Sequence, residues 1–104
     1  DTFVRITKTR NMDKLNDQQI NGKLSEVNNW EKDGDHLKRK LQFKDFKSTF
    51  AIMTRIAFEA EAQGHHPELF NVYNNLEIGL STHDAGGITQ KDFDLAKTID
   101  GIVD

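Results

Sequence analysis

The sequence contains no cysteine among its 104 residues. A disulfide framework, a catalytic thiol and a thiolate-bound zinc ion are therefore excluded within it. It also lacks any apolar run near the roughly 20 residues that cross a bilayer, and no signal-peptide pattern opens the chain. The net charge is only −3, so overall electrostatics favour neither nucleic acid nor an anionic membrane as a partner. From these absences we expect no membrane partner and no direct nucleic-acid partner. The lack of cysteine is compatible with a reducing compartment, and the expected location is the cytoplasm, with the nucleus as an alternative.

Tryptophan, tyrosine and proline each occur once, whereas phenylalanine occurs seven times. Hydrophobic residues make up 36% of the chain, which suits a folded protein better than a disordered one. The length fits one domain with one modest core. Residues 15–104 carry the regular patterns of that domain. Residues 1–14 are mixed in character, and we interpret them as a leader that is either flexible or a short strand.

A helix, a turn and a strand are predicted before the middle of the chain. The helix is indicated from about Asn16 to Asn29, since capping residues precede apolar residues at helical spacing. Asp33-Gly34-Asp35 then favours a hairpin turn. After it, Leu37 to Lys44 largely alternate between apolar and charged side chains, as a strand with one buried face does. Arg39 interrupts the apolar face, and we interpret it as lying at an edge or a solvated margin.

The longest predicted helix runs from about Phe46 to Gln63, with Asp45 as its cap and Gly64 as its stop. Residues at spacings of three and four predict a core-facing stripe: Phe46, Phe50, Met53, Ala57 and Ala60. At about 100° per residue a second apolar stripe faces elsewhere. It consists of Ala51, Phe58 and Ala62, with Ile52 and Ile56 on its flank. We interpret this second stripe as an interface with another subunit; the alternative is one exposed phenylalanine beside helix-favouring alanines.

A second hairpin and a last helix complete the domain. Asn74-Asn75 tolerates positive φ and predicts the hairpin turn. On the following strand, alternate residues share one face: Leu76, Ile78, Leu80 and Thr82. The last helix is predicted to start at Thr89, where Asp92 forms a pattern close to a capping box. Its buried stripe would be Phe93, Ala96, Ile99 and Val103. The order α-β-β-α-β-β-α predicts an α+β domain in which helices cover one face of a four-stranded antiparallel sheet.

Three of the four histidines lie in two short segments, His65-His66 before Pro67 and His83 after the second hairpin. Imidazole titrates near neutral pH and also binds metals, so proximity would favour proton transfer or a metal site. Three nitrogens suffice for an open zinc site, but the HExxH pattern is absent and an adjacent pair is an unusual chelating spacing. Nucleophilic catalysis by Ser81 lacks the strand–turn–helix context. Metal-free acid–base catalysis remains, beside the alternative that two of the histidines only pack or face solvent.

Several runs of the sequence resemble the pterin-4a-carbinolamine dehydratase family, over about residues 15–100. They are Phe43-Lys44-Asp45-Phe46 through Met53-Thr54-Arg55, residues 61–68 (EAQGHHPE), residues 70–74 (FNVYN) and residues 80–83 (LSTH). Together these motifs are far more specific than a histidine pair. The resemblance implies dehydration of a 4a-hydroxytetrahydropterin to a quinonoid dihydropterin, in tetrahydrobiopterin recycling, with no metal and no cofactor. One proton must reach the leaving hydroxyl and another must leave a ring nitrogen, which suits imidazoles.

The resemblance also assigns roles to individual residues. His65, His66 and His83 would surround C4a of the pterin as the acid–base group. Glu61 would accept from the donor edge of the pterin or orient a histidine; otherwise it is a solvated carboxylate at a helix end. Ser81 and Thr82 would present strand main chain to the pterin ring. The other assigned residues are Pro67, Asp92 and Trp30, of which Asp92 is explained equally well as a helix cap and Trp30 as a core residue.

Two functions of different classes follow from the resemblance. In animals the same family also serves as the dimerisation cofactor of a homeodomain transcription factor, which implies a binding module, cytoplasmic or nuclear, that meets a protein partner through the central helix. A pure binding module has no need for the full histidine set, and here that set is intact. Leu69 and Ala85 stand where better-known members have an aromatic residue and a cysteine, and neither residue supplies proton chemistry. The family's tetramers imply a homo-oligomer, a dimer of dimers joined through the central helix.

Overall fold

The computed structural model describes residues 13–104, so residues 1–12 of the predicted leader or strand lie outside the described residues. Its three α-helices are α1 at Asp17–Lys23, α2 at Phe46–Gln63 and α3 at Gln90–Val103. Its four strands are β1 at Glu31–Asp33, β2 at His36–Gln42, β3 at Glu68–Val72 and β4 at Asn75–Leu80. Short 3-10 turns occupy Leu24–Glu26 and His83–Ala85. None of the helices in this part of the chain has the length and apolar character needed to cross a membrane.

The four strands form one antiparallel sheet in the order β1-β2-β4-β3. Leu37 of β2 lies opposite Leu80 of β4. Both belong to the same buried core as Ile56 of α2 and Phe93 of α3. The intervening residues of the strands carry lysine and glutamate side chains on the other face of the sheet. The predicted α+β domain, with its helices on one face of the sheet, is therefore confirmed.

Local capping sets both ends of α2 and the start of α3 at the predicted places. Asp45 starts α2 by accepting a hydrogen bond from the main-chain N–H of Ser48 at 2.8 Å. Gly64 ends it with a φ of 63°, a left-handed conformation that glycine adopts without steric cost. At α3 the capping box is complete, because the main-chain N–H of Thr89 donates to Asp92 at 2.9 Å. The end of α2 at Gly64 positions the histidine pair that follows it, and the start of α3 positions Asp92.

The first helix is shorter than predicted, since α1 ends at Lys23 and not near Asn29. Asn16 starts it as expected, through reciprocal hydrogen bonds with Gln19. In a continued helix the N–H of Asn28 would bond a carbonyl four residues earlier. It donates instead to Asp100 Oδ2 on α3 at 2.8 Å. The main chain is already extended at Val27, and the N–H of Asn28 is satisfied by a tertiary contact instead of a helical one.

The interpretation of Arg39 as an edge or solvated residue is wrong. β2 is paired on both sides, with β1 and β4, and Arg39 is only 4% exposed. Its guanidinium donates to Asp100 at 2.5 Å and to Asp104 at 2.7 Å. Pairing and hydrogen bonding of this kind are what make a buried charge tolerable. The indole N–H of Trp30 donates to the same Asp100 carboxylate at 2.8 Å.

The face of α2 that enters the core also differs from the predicted stripe. Its buried residues are Thr49, Ile56 and Ala60. Three residues of the predicted core stripe are exposed instead: Phe46, Phe50 and Ala57. Thr49 interrupts an apolar pattern, but its hydroxyl donates to the main-chain oxygen of Asp45 at 2.8 Å, so it is buried with a partner. Because α2 is apolar around much of its circumference, spacing alone does not decide which face packs on the sheet.

The second hairpin turns one residue earlier than predicted. Tyr73 and Asn74 form the turn, and Asn75 already begins β4. The positive φ, 52°, belongs to Tyr73 and not to an asparagine. Asn74 instead accepts from the N–H of Phe43 at 2.9 Å and donates to the Phe43 oxygen at 2.8 Å. The turn asparagine thus fastens the hairpin to the segment that leads into α2.

Candidate active site

The end of α2 places two adjacent histidines in different surroundings. Gly64 turns the chain out of the helix, and the N–H of His65 still returns to the oxygen of Ala60 at 3.1 Å. His65 is 9% exposed, whereas the side chain of His66 is 66% exposed. Since each imidazole has its own partner, the two neighbours are not interchangeable.

His65 is paired with a fully buried carboxylate. Its Nε2 lies 2.5 Å from Asp92 Oδ1. The second oxygen of Asp92 accepts from the Thr82 hydroxyl and from the Thr89 N–H, each at 2.9 Å. Helix capping and contact with a histidine were alternative explanations of Asp92. The structure shows that one carboxylate does both, because its two oxygens face different partners.

His66 is paired with an exposed carboxylate one helical turn earlier. Its Nε2 lies 2.6 Å from Glu61 Oε1, and the Glu61 side chain is 77% exposed. The resemblance gave Glu61 two alternative roles, contact with the pterin or orientation of a histidine. This geometry agrees with the second role. The second carboxylate oxygen is not part of this contact.

His83 reaches the site from the end of β4. It begins a 3-10 turn that Gly86 closes with a φ of 75°. The oxygen of Thr82 accepts from the N–H groups of Ala85 and Gly86 at 3.1 Å each, while its own N–H donates to the oxygen of Gly87 at 2.8 Å. The main chain of Thr82 is therefore occupied by the turn. The main-chain contact with a ligand that was predicted for Ser81 stays a prediction.

The three histidines line one open cleft of about 240 Å³. The hairpin thus folds back on the end of α2, as the proximity of the histidines required. The full lining is Gly64, His65, His66, Ser81, Thr82, His83, Asp84 and Lys91. A larger groove of about 450 Å³ lies elsewhere on the sheet, but lysines and carboxylates line it and no histidine does.

A neighbouring cleft, also of about 240 Å³, shares two walls with the first. It is lined by Gln63, His65, Lys91 and Asp94. Lys91 borders both clefts, and sequence reasoning did not single it out. The only signal was its place directly before Asp92, since a half-buried lysine in the first turn of a helix carries no pattern of its own.

Some of the predicted site residues lie away from the cleft. Trp30 is buried beside Asp100 and is not among the residues that line the cleft. Pro67 is half-buried where the chain leaves the histidine pair for β3. The expected interface residues Ala51, Phe58 and Ala62 are exposed on α2, and Ile52 is half-buried against the core. Within residues 13–104, no three potential ligands among His, Asp and Glu are close enough to hold a metal ion.

Comparison with known proteins gives consistent results. A sequence model described as pterin 4 alpha carbinolamine dehydratase matches residues 13–102. A Christiangramia forsetii protein, provisionally named a pterin-4-alpha-carbinolamine dehydratase, is 52% identical over 93 residues, which are 89% of this chain and 96% of that protein. A Solibacter usitatus protein with the same provisional name is 49% identical over 89 residues, 86% of this chain and 94% of that protein.

A solved structure has the same fold. The crystal structure described as a transcriptional coactivator/pterin dehydratase from Brucella melitensis matches with a TM-score of 0.85 at 33% identity. The match covers 88% of this chain and 100% of that one. Both the sequence and the architecture of the histidine-bearing domain are therefore shared with this group of proteins.

Proposed function

The chain belongs to the pterin 4 alpha carbinolamine dehydratase family, and from that premise we propose that it converts a 4a-hydroxytetrahydropterin to the quinonoid dihydropterin and water. The family and the enzyme class, a dehydratase, are those expected from the sequence. We further propose that the reaction is metal-free histidine acid–base catalysis and that it serves tetrahydrobiopterin recycling in the cytoplasm. The observation that carries the mechanism is one cleft lined by three imidazoles, two of which are paired with carboxylates.

The reaction balances without a cofactor. The bond from C4a to the hydroxyl oxygen breaks, one proton joins the leaving oxygen to give water, and one proton leaves a ring nitrogen. One protonated and one neutral imidazole supply both steps, because imidazole holds either state near neutral pH. His66 and His83 are exposed and can exchange protons with water. His65, held by Asp92, is the imidazole with the most fixed position.

Ser81 in the cleft, together with Glu61 and Pro67 next to the histidine pair, suits the binding of a flat, polar ring. Ser81 offers main chain at the strand end, in the edge-like manner that the resemblance implies. Glu61 orients His66 and has a second oxygen for the donor edge of the pterin. Pro67 fixes the exit of the chain after the histidines. We propose Ser81 and Glu61 as substrate contacts and Pro67 as the residue that fixes the main chain beside them, whereas the contribution of Thr82 and Asp92 passes through His65.

One assay tests this function directly. Chemically prepared 4a-hydroxytetrahydropterin is followed spectroscopically with purified protein, with heat-unfolded protein and with no protein. We expect the native protein alone to accelerate dehydration, and EDTA to leave the rate unchanged. A rate equal to that of the uncatalysed reaction would refute the activity. Loss of the rate in EDTA, restored by zinc, would refute the metal-free mechanism.

A second function is favoured by the exposed face of α2. Phe46, Phe50 and Phe58 are 47%, 55% and 73% exposed, and large exposed apolar side chains on one helix are typical of an interface. We propose that this face joins subunits into a dimer of dimers, with sheet edges forming the other contact. A coactivator-type contact with another protein, cytoplasmic or nuclear, is the alternative use of the same face. A homo-oligomer measured for the isolated protein would favour the first use.

A further inference from the structure

Two buried threonines form a chain of hydroxyls behind the His65–Asp92 pair. Thr82 Oγ1 lies 2.7 Å from Thr89 Oγ1 and 2.9 Å from Asp92 Oδ2. The main-chain N–H of Lys91 donates to Thr89 Oγ1 at 3.2 Å. Thr82, Thr89 and Asp92 are 4%, 0% and 0% exposed. Bulk water therefore competes little for these protons.

Counting the protons shows which group is the donor in each of these hydrogen bonds. Each hydroxyl has one proton to donate, and an ionised carboxylate only accepts. The Thr82 proton therefore goes to Asp92. Because Thr82 has no second hydroxyl proton, the hydrogen bond between the two threonines is donated by Thr89. The donors thus point one after another toward the carboxylate. Aligned hydrogen bonds of this kind polarise and strengthen one another in a buried site.

The same count determines which nitrogen of His65 carries its proton. The Thr82 hydroxyl and the Thr89 N–H both donate to Asp92 Oδ2, so Oδ1 is the carboxylate oxygen that faces His65. An ionised carboxylate leaves Oδ1 as an acceptor, so the His65 atom facing it at 2.5 Å, Nε2, is the donor. A neutral imidazole has one protonated nitrogen. Nδ1 of His65 is therefore the nitrogen that can take up a proton.

We propose that Thr82 is a positioning residue, which acts through Asp92 to hold His65 in the Nε2–H tautomer with Nδ1 as its reacting nitrogen. This inference rests on the proposed acid–base function of His65. It gives Thr82 a role other than the main-chain contact expected from the sequence. Since the carbonyl of Thr82 also holds the turn that carries His83, one residue orients both histidine-bearing walls of the cleft.

Two substitutions of Thr82 test the role of its hydroxyl separately from the role of the rest of the side chain. Thr82→Val removes the hydroxyl with little change of volume, and Thr82→Ser retains it. We expect Thr82→Val to lower kcat about tenfold at unchanged KM and to shift the pH–rate profile. This loss is smaller than the roughly 100-fold or greater contribution of a positioned acid or base, because His65 itself remains in place. Thr82→Ser should restore most of kcat.

Thr49→Val is the matched control. Thr49 is also fully buried and donates its hydroxyl, but near the start of α2, about 20 Å along the helix from the histidines at roughly 1.5 Å per residue. We expect it to lose stability as Thr82→Val does, and to keep its kcat. A loss of kcat in Thr49→Val as large as that in Thr82→Val would show that general destabilisation is responsible, and would overturn the proposal.

The tautomer itself is measured by long-range ¹H–¹⁵N NMR of the imidazole nitrogens. We expect a protonated Nε2 for His65 in the wild type and in Thr82→Ser, and a mixture of tautomers in Thr82→Val. A protonated Nδ1 in the wild type would overturn the proposal, even if Thr82→Val failed to fold. So would a folded Thr82→Val with the wild-type kcat. Wild-type inactivity together with an Nε2–H tautomer would count against the proposed reaction and leave the hydroxyl chain standing.

Discussion

At the scale of single residues, the carboxylate beside each histidine decides how firmly that histidine is held. The partner of His65, Asp92, is buried, and hydrogen bonds are stronger and more fixed in such a low-dielectric environment. The partner of His66, Glu61, is exposed, where a pair contributes little and exchanges readily with water. Within residues 13–104, His83 makes no side-chain hydrogen bond. We therefore expect His65 to set the geometry of proton transfer and His83 to be free to contact the substrate.

The first residue-scale prediction concerns these two imidazoles. His65→Ala and His83→Ala should each lower kcat about 100-fold or more, the usual contribution of a positioned acid or base. Steady-state dehydration kinetics measure the effect, with circular dichroism to show that the variants are folded. The matched control is His36→Ala, because the side chain of His36 is hydrogen-bonded to Glu68 at 3.0 Å across the sheet and does not line the cleft. Full activity in either site variant would contradict the assignment, as would an equal loss in His36→Ala.

At the scale of helices and strands, local chemistry was predictable and tertiary pairing was not. The cap at Asp45 and the stop at Gly64 depend on atoms within a few residues, so the sequence predicts both ends of α2 correctly. The burial of Arg39 depends on Asp100, 61 positions away, and no local pattern indicates that contact. The face of α2 that packs inward depends likewise on the sheet beneath it.

In the candidate site, too, some features could be predicted from local sequence and others depend on tertiary packing. The histidine set and Asp92 follow from short motifs, and the structure brings all three histidines to one cleft. The inward turn of the Thr82 hydroxyl does not follow, because a strand pattern gives only the face of a residue and not its hydrogen-bond partner. Lys91 was missed because it borders the cleft only when the start of α3 docks beside the end of α2. Motifs therefore predict the residue types, and packing determines which atoms meet.

The ion pair between Arg39 of β2 and Asp104, directly after α3, predicts that the stability of the fold depends on pH. Hydrogen bonds from Arg39 and then Asn28 lower the pKa of Asp104 from 3.8 to about 2. A carboxyl whose pKa is lower in the folded state stabilises the fold above its unfolded pKa, and this contribution is lost as the pH falls through the folded value. The free energy of unfolding should therefore fall from about pH 4 to about pH 2. The Asp104 side chain is 40% exposed, so solvent screening limits the contribution to about 1 kcal/mol or less.

Urea titrations across this pH range measure the effect in the wild type, Asp104→Asn and Asp13→Asn. We expect Asp104→Asn to be less stable at neutral pH and to lose less stability on acidification. Asp13 is exposed, so the same change of charge there should leave the wild-type pH dependence intact. Identical pH dependence in the wild type and Asp104→Asn would contradict the prediction.

At the scale of the whole molecule, the exposed large apolar side chains of residues 13–104 fall into two regions. They are Phe46, Phe50, Phe58, Phe70, Val72 and Tyr73. The first three lie on α2 and the others on the β3–β4 hairpin. The rings of Phe46 and Phe50 contact each other, with centroids 5.8 Å apart, which extends the apolar surface beyond the stripe predicted from the sequence. Two separate surfaces are what a dimer of dimers needs, one for each kind of contact.

The prediction at this scale is that Phe58→Glu separates subunits without unfolding them. Phe58 is 73% exposed in the single chain, and covering a phenylalanine contributes about 1.5–3 kcal/mol per subunit. Glutamate would bring a charge into that contact, whereas the control Phe58→Leu keeps an apolar side chain and should keep the assembly. Multi-angle light scattering at micromolar concentration should give the wild type and Phe58→Leu about four times the 11.9 kDa chain mass, and Phe58→Glu a smaller assembly.

Because the histidine cleft lies beyond the end of α2, Phe58→Glu should still fold around the cleft, and the His65 NMR signals report whether it does. A wild-type monomer would defeat the prediction, and so would an unchanged mass for Phe58→Glu.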